Sequence, residues 1–270
     1  IWDIWRGVKL RWYGLAYLLA FLVAYYLLCY LSRKKLWVIV EKNIGDFIAL
    51  LAMIGVFIGG RLGYVLFYMI PEHGWEPIAQ DPLSIIRVWD GGMASHGGFL
   101  GVALFTLYYA RKHKISWTGI GDTLVCGAPL GVFCGRLANF INGELWGRET
   151  TVAWGMVFPG GGDVVRHPSQ LYQAGLEGLL LMVIMSVLFW KTDARYKPGY
   201  LAGQFLIWMG AFRFVSETVR EPDVGVYGLF GMTMGQTLCV PLIVLGLYLV
   251  FTANGRRQRV ESVAGQSSVA

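Results

Sequence analysis

Charged residues are scarce in this chain of 270 amino acids: they make up 15% of it, whereas 56% of the residues are hydrophobic. Soluble domains carry about a quarter charged residues, because a body exposed to water needs that much polar surface. The shortage excludes an ordinary soluble globule and indicates a membrane protein. The net charge of +6 does not indicate a nucleic-acid partner, because the basic residues stand in short clusters between apolar runs.

The chain also lacks the spacings typical of metal sites and of disulfide frameworks. Its cysteines, Cys29, Cys126, Cys134 and Cys239, stand inside apolar runs without a Cys-x-x-Cys pair, which predicts reduced thiols packed as small side chains. No His-x-x-x-His or His-Glu-x-x-His pattern is present, so we expect no metal and no other cofactor. The absence of Gly-x-Ser-x-Gly around Ser95 argues against a serine hydrolase.

Seven apolar stretches are long enough to cross a bilayer, which takes about 20 helical residues. We place them at residues 13–31, 46–69, 96–111, 119–140, 170–190, 200–219 and 232–252. Basic residues rather than a small-residue cleavage site follow the first stretch, so we expect a retained span and not a signal peptide. The fold class predicted here is an all-α membrane protein with seven transmembrane helices.

Basic residues also orient this bundle, because cytoplasmic connections carry an excess of lysine and arginine. Thirteen of them follow the odd-numbered spans, against three before span one. The thirteen are Arg33, Lys34, Lys35, Lys42, Arg111, Lys112, Lys114, Lys191, Arg195, Lys197, Arg256, Arg257 and Arg259. The amino terminus is therefore expected in the periplasm and the carboxyl terminus in the cytoplasm.

This orientation divides the chain into three parts. We expect a periplasmic segment at residues 1–12, a catalytic transmembrane domain at 13–252 and a cytoplasmic tail at 253–270. Two long glycine-rich connections, residues 70–95 and 141–169, would then face the periplasm. Loops of this length carry function more often than a minimal linker does.

Three arginines, Arg61, Arg136 and Arg213, lie within or at the outer ends of predicted spans. An arginine at mid-span costs about 2.5–3.5 kcal/mol on insertion scales, so each needs a partner or a use. A guanidinium keeps its charge and offers a planar fork of donors that matches phosphate oxygens. The alternative for each is a structural arginine tied to backbone carbonyls or to a nearby carboxylate.

Helical spacing predicts that further polar residues share a face with each arginine. The groups are Arg61, Tyr64 and Tyr68 on span two, Arg136 and Asn139 followed by Asn142 and Glu144 at the end of span four, and Arg213, Glu217 and Arg220 on span six. A single outward-facing chamber lined by all of them would account for their presence. Glu217 could equally serve only to neutralise Arg213.

His96 stands between two glycine pairs at the entrance of span three. An imidazole titrates near neutral pH and can act as a general base. A hydrogen-bonded structural histidine is the alternative.

The run GRLANFINGELWG, residues 135–147, resembles the signature of the bacterial prolipoprotein diacylglyceryl transferases. Shorter matching stretches extend the resemblance over about residues 11–250, at residues 11–14, 60–64, 89–93, 96–98, 166–172 and 212–213. The chain departs from other members at Met209, where a tyrosine can stand four residues before the arginine of span six.

The resemblance implies an enzyme of the bacterial inner membrane, active at the periplasmic side. Its donor would be phosphatidylglycerol, and its acceptor the lipobox cysteine in the signal peptide of a prolipoprotein. Transfer of the diacylglyceryl group to the thiol forms a thioether and releases glycerol phosphate. Membrane lipids are the surroundings, and no nucleic acid is implied.

The resemblance also implies site residues. Arg136 and Arg213 match the family's essential arginines, and His96 matches its histidine. Together with the spacing, the resemblance leads us to expect substrate contacts from Tyr13, Arg61, Tyr64, Tyr68, Gly91, Asn139, Asn142, Glu144, Gly147, Glu217 and Arg220. In this hypothesis the two arginines stabilise the departing phosphate, and His96 takes the thiol proton. A headgroup oxygen or a tyrosinate could take this proton instead of His96.

The residues alone leave two other functions open. One is a membrane transporter of an anionic lipid or metabolite, although no internal repeat typical of transporters is found. The other is a scaffold that binds lipid without consuming it.

Overall fold

The computed structural model describes residues 2–5, 8–10, 12–87, 92–221 and 231–256. Nearly all regular structure within these ranges is helical, which confirms the helical class. Two short antiparallel strands, β1 (Trp2–Trp5) and β2 (Val8–Leu10), precede the first helix. This small sheet was not predicted from the sequence.

Most helices follow the apolar stretches of the sequence, and two short ones lie in the predicted connection at residues 70–95. They are α1 (Trp12–Arg33), α2 (Ile44–Leu50), α3 (Gly59–Tyr64), α4 (Ile70–His73), α5 (Glu76–Gln80), α6 (Ser95–His113), α7 (Trp117–Asn142), α8 (Ser169–Gln173), α9 (Leu181–Lys191), α10 (Tyr200–Ser216) and α11 (Met234–Thr252). The π-helical segments Leu51–Ile58, Val65–Met69 and Ala174–Leu180 join α2 to α3, α3 to α4, and α8 to α9. Predicted spans two and five are therefore helices that change their winding without a break.

Five helices of the described residues are long and apolar enough to cross a membrane. They are Gly14–Arg33, Glu41–Tyr64, Trp117–Asn142, Ser169–Lys191 and Gly235–Gly255. Large apolar side chains cover their outer faces; Tyr26 and Phe251, for example, are 68% and 78% exposed. Lipid tails, and not water, suit such faces. The chain is therefore a multi-pass membrane protein.

Predicted spans three and six correspond to α6 and α10. These helices have 19 and 17 residues, close to the length of about 20 residues that a bilayer requires. The total of seven spans and the orientation of the termini stay predictions.

The chain divides into two compact units, of which the first is residues 28–120. Within it, α3 packs against α6 through glycines spaced by four residues. A Cβ on Gly63 would lie 2.5 Å from the Cα of Gly97, and one on Gly59 would lie 2.7 Å from the Gly97 carbonyl oxygen. Such close approach of two backbones is typical of small-residue interfaces in membranes. Gly97, next to His96, therefore has a packing role.

The second unit holds α1 up to Leu27 and the chain from Gly121 onward. Asp122, near the start of α7, is buried there and accepts hydrogen bonds from the backbone N–H groups of Gly199 (2.7 Å) and Ala202 (2.8 Å). A carboxylate at a helix amino terminus satisfies N–H groups that have no partner within the helix. Asp122 thereby joins the start of α7 to the start of α10.

Candidate functional site

Three arginines and two buried glutamates meet between α7, the α8–α9 helix and the end of α10. Glu177 is 0% exposed, and its two carboxylate oxygens lie 3.8 Å from Arg136 Nη2 and 3.8 Å from Arg213 Nη1. Glu217 Oε1 lies 2.5 Å from Arg213 Nη2 and 3.1 Å from Arg220 Nη1. We term these five residues the arginine cluster.

The arginine cluster has three formal positive charges and two negative ones, a surplus of one positive charge. Buried charges are retained when they are paired or used. Glu177 balances Arg136 and Arg213 without hydrogen-bonding to either, since 3.8 Å exceeds a hydrogen-bond distance. The surplus matches the single negative charge of a phosphodiester.

Glu177 was missed in the sequence analysis. The signal was nevertheless present, because Glu177 is the one acidic residue in the apolar run 170–190. Together with Gln170 and Gln173 it forms a helically spaced polar line, and all three side chains are buried. A polar line within a membrane span is a functional hypothesis by default.

The first part of the signature segment forms the carboxyl-terminal end of α7. Gly143 has φ +67°, its N–H donates to Phe140 O, and the N–H of Glu144 donates to Asn139 O, each at 3.0 Å. This is the Schellman arrangement, in which glycine supplies the left-handed conformation. Leu145 also has a positive φ of +58°, which costs about 1–2 kcal/mol for a residue with a Cβ.

The polar side chains of the signature hydrogen-bond to one another. Glu144 Oε1 accepts hydrogen bonds from Asn139 Nδ2 at 3.0 Å and from Asn142 Nδ2 at 3.1 Å. Gln170 Nε2, at the start of α8, donates to the Glu144 carbonyl oxygen at 2.7 Å. The turn after α7 is thereby attached to the helix that carries Glu177.

Gly147 lies where backbone segments distant in sequence cross. Its N–H donates to His167 O at 2.9 Å, and the neighbouring Arg148 N–H donates to Val219 O at 2.9 Å. A Cβ on Gly147 would lie 2.5 Å from the Val219 carbonyl oxygen, so only glycine fits. This pairing, which includes a bridge between Gly147 and Arg220, joins the loop to the end of α10.

The end of α10 differs from the prediction. The helix ends at Ser216, three residues before the predicted limit at residue 219, and a turn follows. Arg213, Glu217 and Arg220 meet through this turn and not along one continuous helix face. Glu217 forms ion pairs with both arginines. This agrees with the alternative that Glu217 serves to neutralise Arg213.

The group around Arg61 lies in the other unit, residues 28–120. Arg61 is buried, and its guanidinium donates to three backbone carbonyls, those of Ser84 (2.6 Å), Ile85 (3.2 Å) and Gly92 (2.9 Å). It also lies 5.4 Å from the ring centroid of Tyr64, which stacks on Tyr68 at 5.9 Å. The predicted shared face of Arg61, Tyr64 and Tyr68 is confirmed. The guanidinium of Arg61 is bound to backbone carbonyls, as expected for an arginine with a structural role. Its contact with substrate stays a prediction.

The remaining predicted residues are Tyr13, Gly91 and His96. Tyr13 is the second residue of α1, and His96 is the second residue of α6. Gly91 lies outside the described residues. The arginine cluster and the Arg61 group belong to different units, and a single chamber that includes both stays a prediction.

The chemistry available in the arginine cluster is anion binding. Guanidinium groups in a site with little water stabilise phosphate charge more strongly than they would in water, and their paired donors match its oxygens. The fold and this cluster define a multi-pass helical membrane protein with a partly buried site for an anionic group.

Comparison with known proteins identifies the family. The family model for prolipoprotein diacylglyceryl transferase matches residues 1–252, and the chain belongs to this family of transferases. The resemblance of the signature segment is thereby confirmed.

Curated relatives cover most of the chain. One from Zymomonas mobilis is 44% identical over 248 residues, which is 92% of this chain and 85% of the relative. One from Nitrosomonas europaea is 45% identical over 249 residues, with 91% and 86% covered. One from Cereibacter sphaeroides is 43% identical over 266 residues, with 89% of each covered. All three are named phosphatidylglycerol–prolipoprotein diacylglyceryl transferase.

Proposed function

We propose that this chain transfers the diacylglyceryl group of phosphatidylglycerol to the lipobox cysteine of a prolipoprotein signal peptide. The arginine cluster is the observation that carries the proposal, because it offers a surplus positive charge for a phosphate among apolar helices. Relatives 41–45% identical bear the name of this activity, which supports the assignment of both substrates.

The reaction breaks a carbon–oxygen bond. The cysteine sulfur attacks the glyceryl carbon that bears the phosphate, a thioether forms, and the bonding electron pair leaves with the phosphate oxygen as glycerol phosphate. Arg136 and Arg213 stabilise the charge that grows on this leaving group. A thiol has a pKa of about 8.5, so only a few per cent is ionised at pH 7. His96 takes the thiol proton.

The other expected contacts orient the lipid headgroup or hold the arginines. Asn139, Asn142 and Glu144 maintain the turn after α7 through their mutual hydrogen bonds. Tyr64 and Tyr68 contact the lipid, and Tyr13, Gly91 and Gly147 stay predicted substrate contacts.

The location completes the proposal. The protein crosses the bacterial inner membrane seven times, with its amino terminus in the periplasm and its carboxyl terminus in the cytoplasm. The site faces the periplasmic side, and the connections at residues 70–95 and 141–169 lie on that side as well. The basic residues after the odd-numbered spans support this orientation.

Transfer by purified protein tests the proposal directly. The protein is mixed with phosphatidylglycerol and a lipobox peptide, and mass spectrometry detects addition of a diacylglyceryl group to the cysteine. Arg136→Lys and Arg213→Lys each keep the charge and lose the donor fork, so each should lower the rate about 100-fold or more. The exposed Arg33→Lys is the matched control and should transfer normally. A wild-type rate in Arg136→Lys would contradict contact between its fork and the phosphate.

The role of His96 needs a separate test. His96→Gln should slow transfer and abolish the fall in rate at acid pH, because the base that must be deprotonated is gone. Full activity in this variant would remove His96 from the base role.

If phosphatidylglycerol stays unconsumed by the wild-type protein but crosses the bilayer, the transporter alternative holds instead.

A further inference from the structure

A buried polar face runs along the α8–α9 helix from the signature loop to the arginine cluster. Gln170, Gln173 and Glu177 stand on it at helical spacing, and each is 0% exposed. Gln170 Nε2 binds the Glu144 carbonyl oxygen. In contrast, neither amide atom of Gln173 has a hydrogen-bond partner anywhere in the described ranges. The Glu177 oxygens likewise accept no hydrogen bond of normal geometry there.

An unpaired buried amide is unfavourable, because it has lost its hydrogen bonds to water and gained none from the protein. The two glutamines differ in this respect, although they share a face and lie three residues apart. Gln170 has one structural hydrogen bond, through Nε2, and its Oε1 has no partner within the described residues, whereas neither amide atom of Gln173 has one there. A molecule that bound beside Gln173 would therefore not have to replace any hydrogen bond that its side chain makes within the described residues.

The neighbours of Gln173 define the chemistry of that molecule. Glu177, one helical turn further along, lies within 3.8 Å of both Arg136 and Arg213, the groups assigned to the phosphate. A group attached to this phosphate would reach an amide that can donate and accept and a carboxylate that accepts. Hydroxyl groups satisfy both. An ammonium headgroup would instead cancel the charge of its own phosphate and leave the surplus positive charge of the cluster unbalanced.

We propose that Gln173, together with Glu177, forms a subsite that recognises the free hydroxyl groups of the donor lipid's glycerol headgroup. Gln173 is then a specificity residue that distinguishes a phosphoglycerol headgroup from other phosphodiesters of equal charge. The inference rests on the proposed function, because it takes the phosphate to lie between Arg136 and Arg213.

The test compares two donors, phosphatidylglycerol and phosphatidylpropanol, with identical acyl chains. Both carry one negative charge, and phosphatidylpropanol lacks the headgroup hydroxyls. The wild-type kcat/KM should be about tenfold or more higher with phosphatidylglycerol, the value of a hydrogen bond of ordinary strength. Gln173→Leu should lower kcat/KM about tenfold for phosphatidylglycerol and change it less than about twofold for phosphatidylpropanol.

Gln170→Leu is the matched comparison. It removes a glutamine from the same helix face, but one with a structural hydrogen bond, so it should lower the apparent Tm and slow transfer from both donors equally. Gln173→Leu removes unpaired polar atoms, so the apparent Tm without lipid should stay the same or rise. If Gln173 had a structural role, the Gln173→Leu substitution would lower this Tm.

Three results would overturn the subsite: a wild-type protein that does not distinguish the donors, a Gln173→Leu variant that slows both equally, or a Gln173→Leu variant with a lowered Tm. Lipid-induced stabilisation separates this failure from that of the proposed function. If the wild-type protein transfers from neither lipid, yet phosphatidylglycerol raises its Tm more than phosphatidylpropanol does and Gln173→Leu abolishes the difference, the subsite stands and the transferase assignment fails.

Discussion

Glu177→Gln tests whether a buried negative charge holds the arginine cluster together. The substitution preserves the shape of the side chain and removes the charge 3.8 Å from both Arg136 and Arg213. Two unit charges at that distance interact by about 4 kcal/mol at an effective dielectric constant of 20. Removing one partner of a buried pair costs about 3–5 kcal/mol, because the other charge is left uncompensated.

The matched control is Glu149→Gln. Glu149 also lies 3.8 Å from an arginine, Arg166, but its side chain is 66% exposed, and exposed pairs contribute about 0–1 kcal/mol. At about 2–4 °C per kcal/mol, Glu177→Gln should lower the apparent Tm by about 6–20 °C. Glu149→Gln should lower it by at most about 4 °C.

The assay is thermal unfolding in detergent, with and without added lipid. Glu177→Gln raises the positive surplus of the cluster from one charge to two. Phosphatidylglycerol should therefore restore more stability to this variant than to the wild-type protein, whereas zwitterionic phosphatidylcholine should not. Equal Tm values for the Glu177→Gln variant and the wild-type protein, or equal stabilisation by the two lipids, would refute the reasoning.

Three further predictions concern stability, and each is measured by thermal unfolding. Gly63→Ala places a Cβ 2.5 Å from a backbone carbon of α6 and should cost about 1–3 kcal/mol, whereas Gly131→Ala, with open space around it, should cost nothing. Asp122→Ala removes the acceptor of the Gly199 and Ala202 N–H groups at the start of α10 and should cost about 3 kcal/mol. Asp122→Asn, which keeps one oxygen, should lose about half as much. Gly143→Ala, at φ +67°, should cost about 1–2 kcal/mol and also slow transfer. For each of these destabilising variants, an unchanged Tm would contradict the contact or backbone conformation described for that residue.

Local patterns in the sequence were enough to predict features that depend on a single helix. Apolar runs located the helices, and spacing placed Arg61, Tyr64 and Tyr68 on one face, where the structure stacks them. The grouping of Asn139, Asn142 and Glu144 at the end of span four also came from short spacing, and in the structure both asparagines donate to Glu144.

Contacts between distant segments were not predictable in this way. Glu177 lies 41 residues after Arg136 and 36 before Arg213 in sequence, so only the packing of three helices brings them together. The helix end at Ser216 was missed for the same reason, because the residues that follow pair with the loop around Gly147 and leave the helix. Periodicity describes one helix and contains no information about such partners.

The attachment of the signature loop to the end of α10 has a mechanical consequence. One backbone hydrogen bond links Arg148 to Val219, and the Arg148 side chain also donates to the Arg220 carbonyl oxygen. The loop is thereby anchored to the chain six residues after Arg213. We expect a ligand that displaces this loop to displace the end of α10 as well, and so to slow transfer without occupying the site of either substrate.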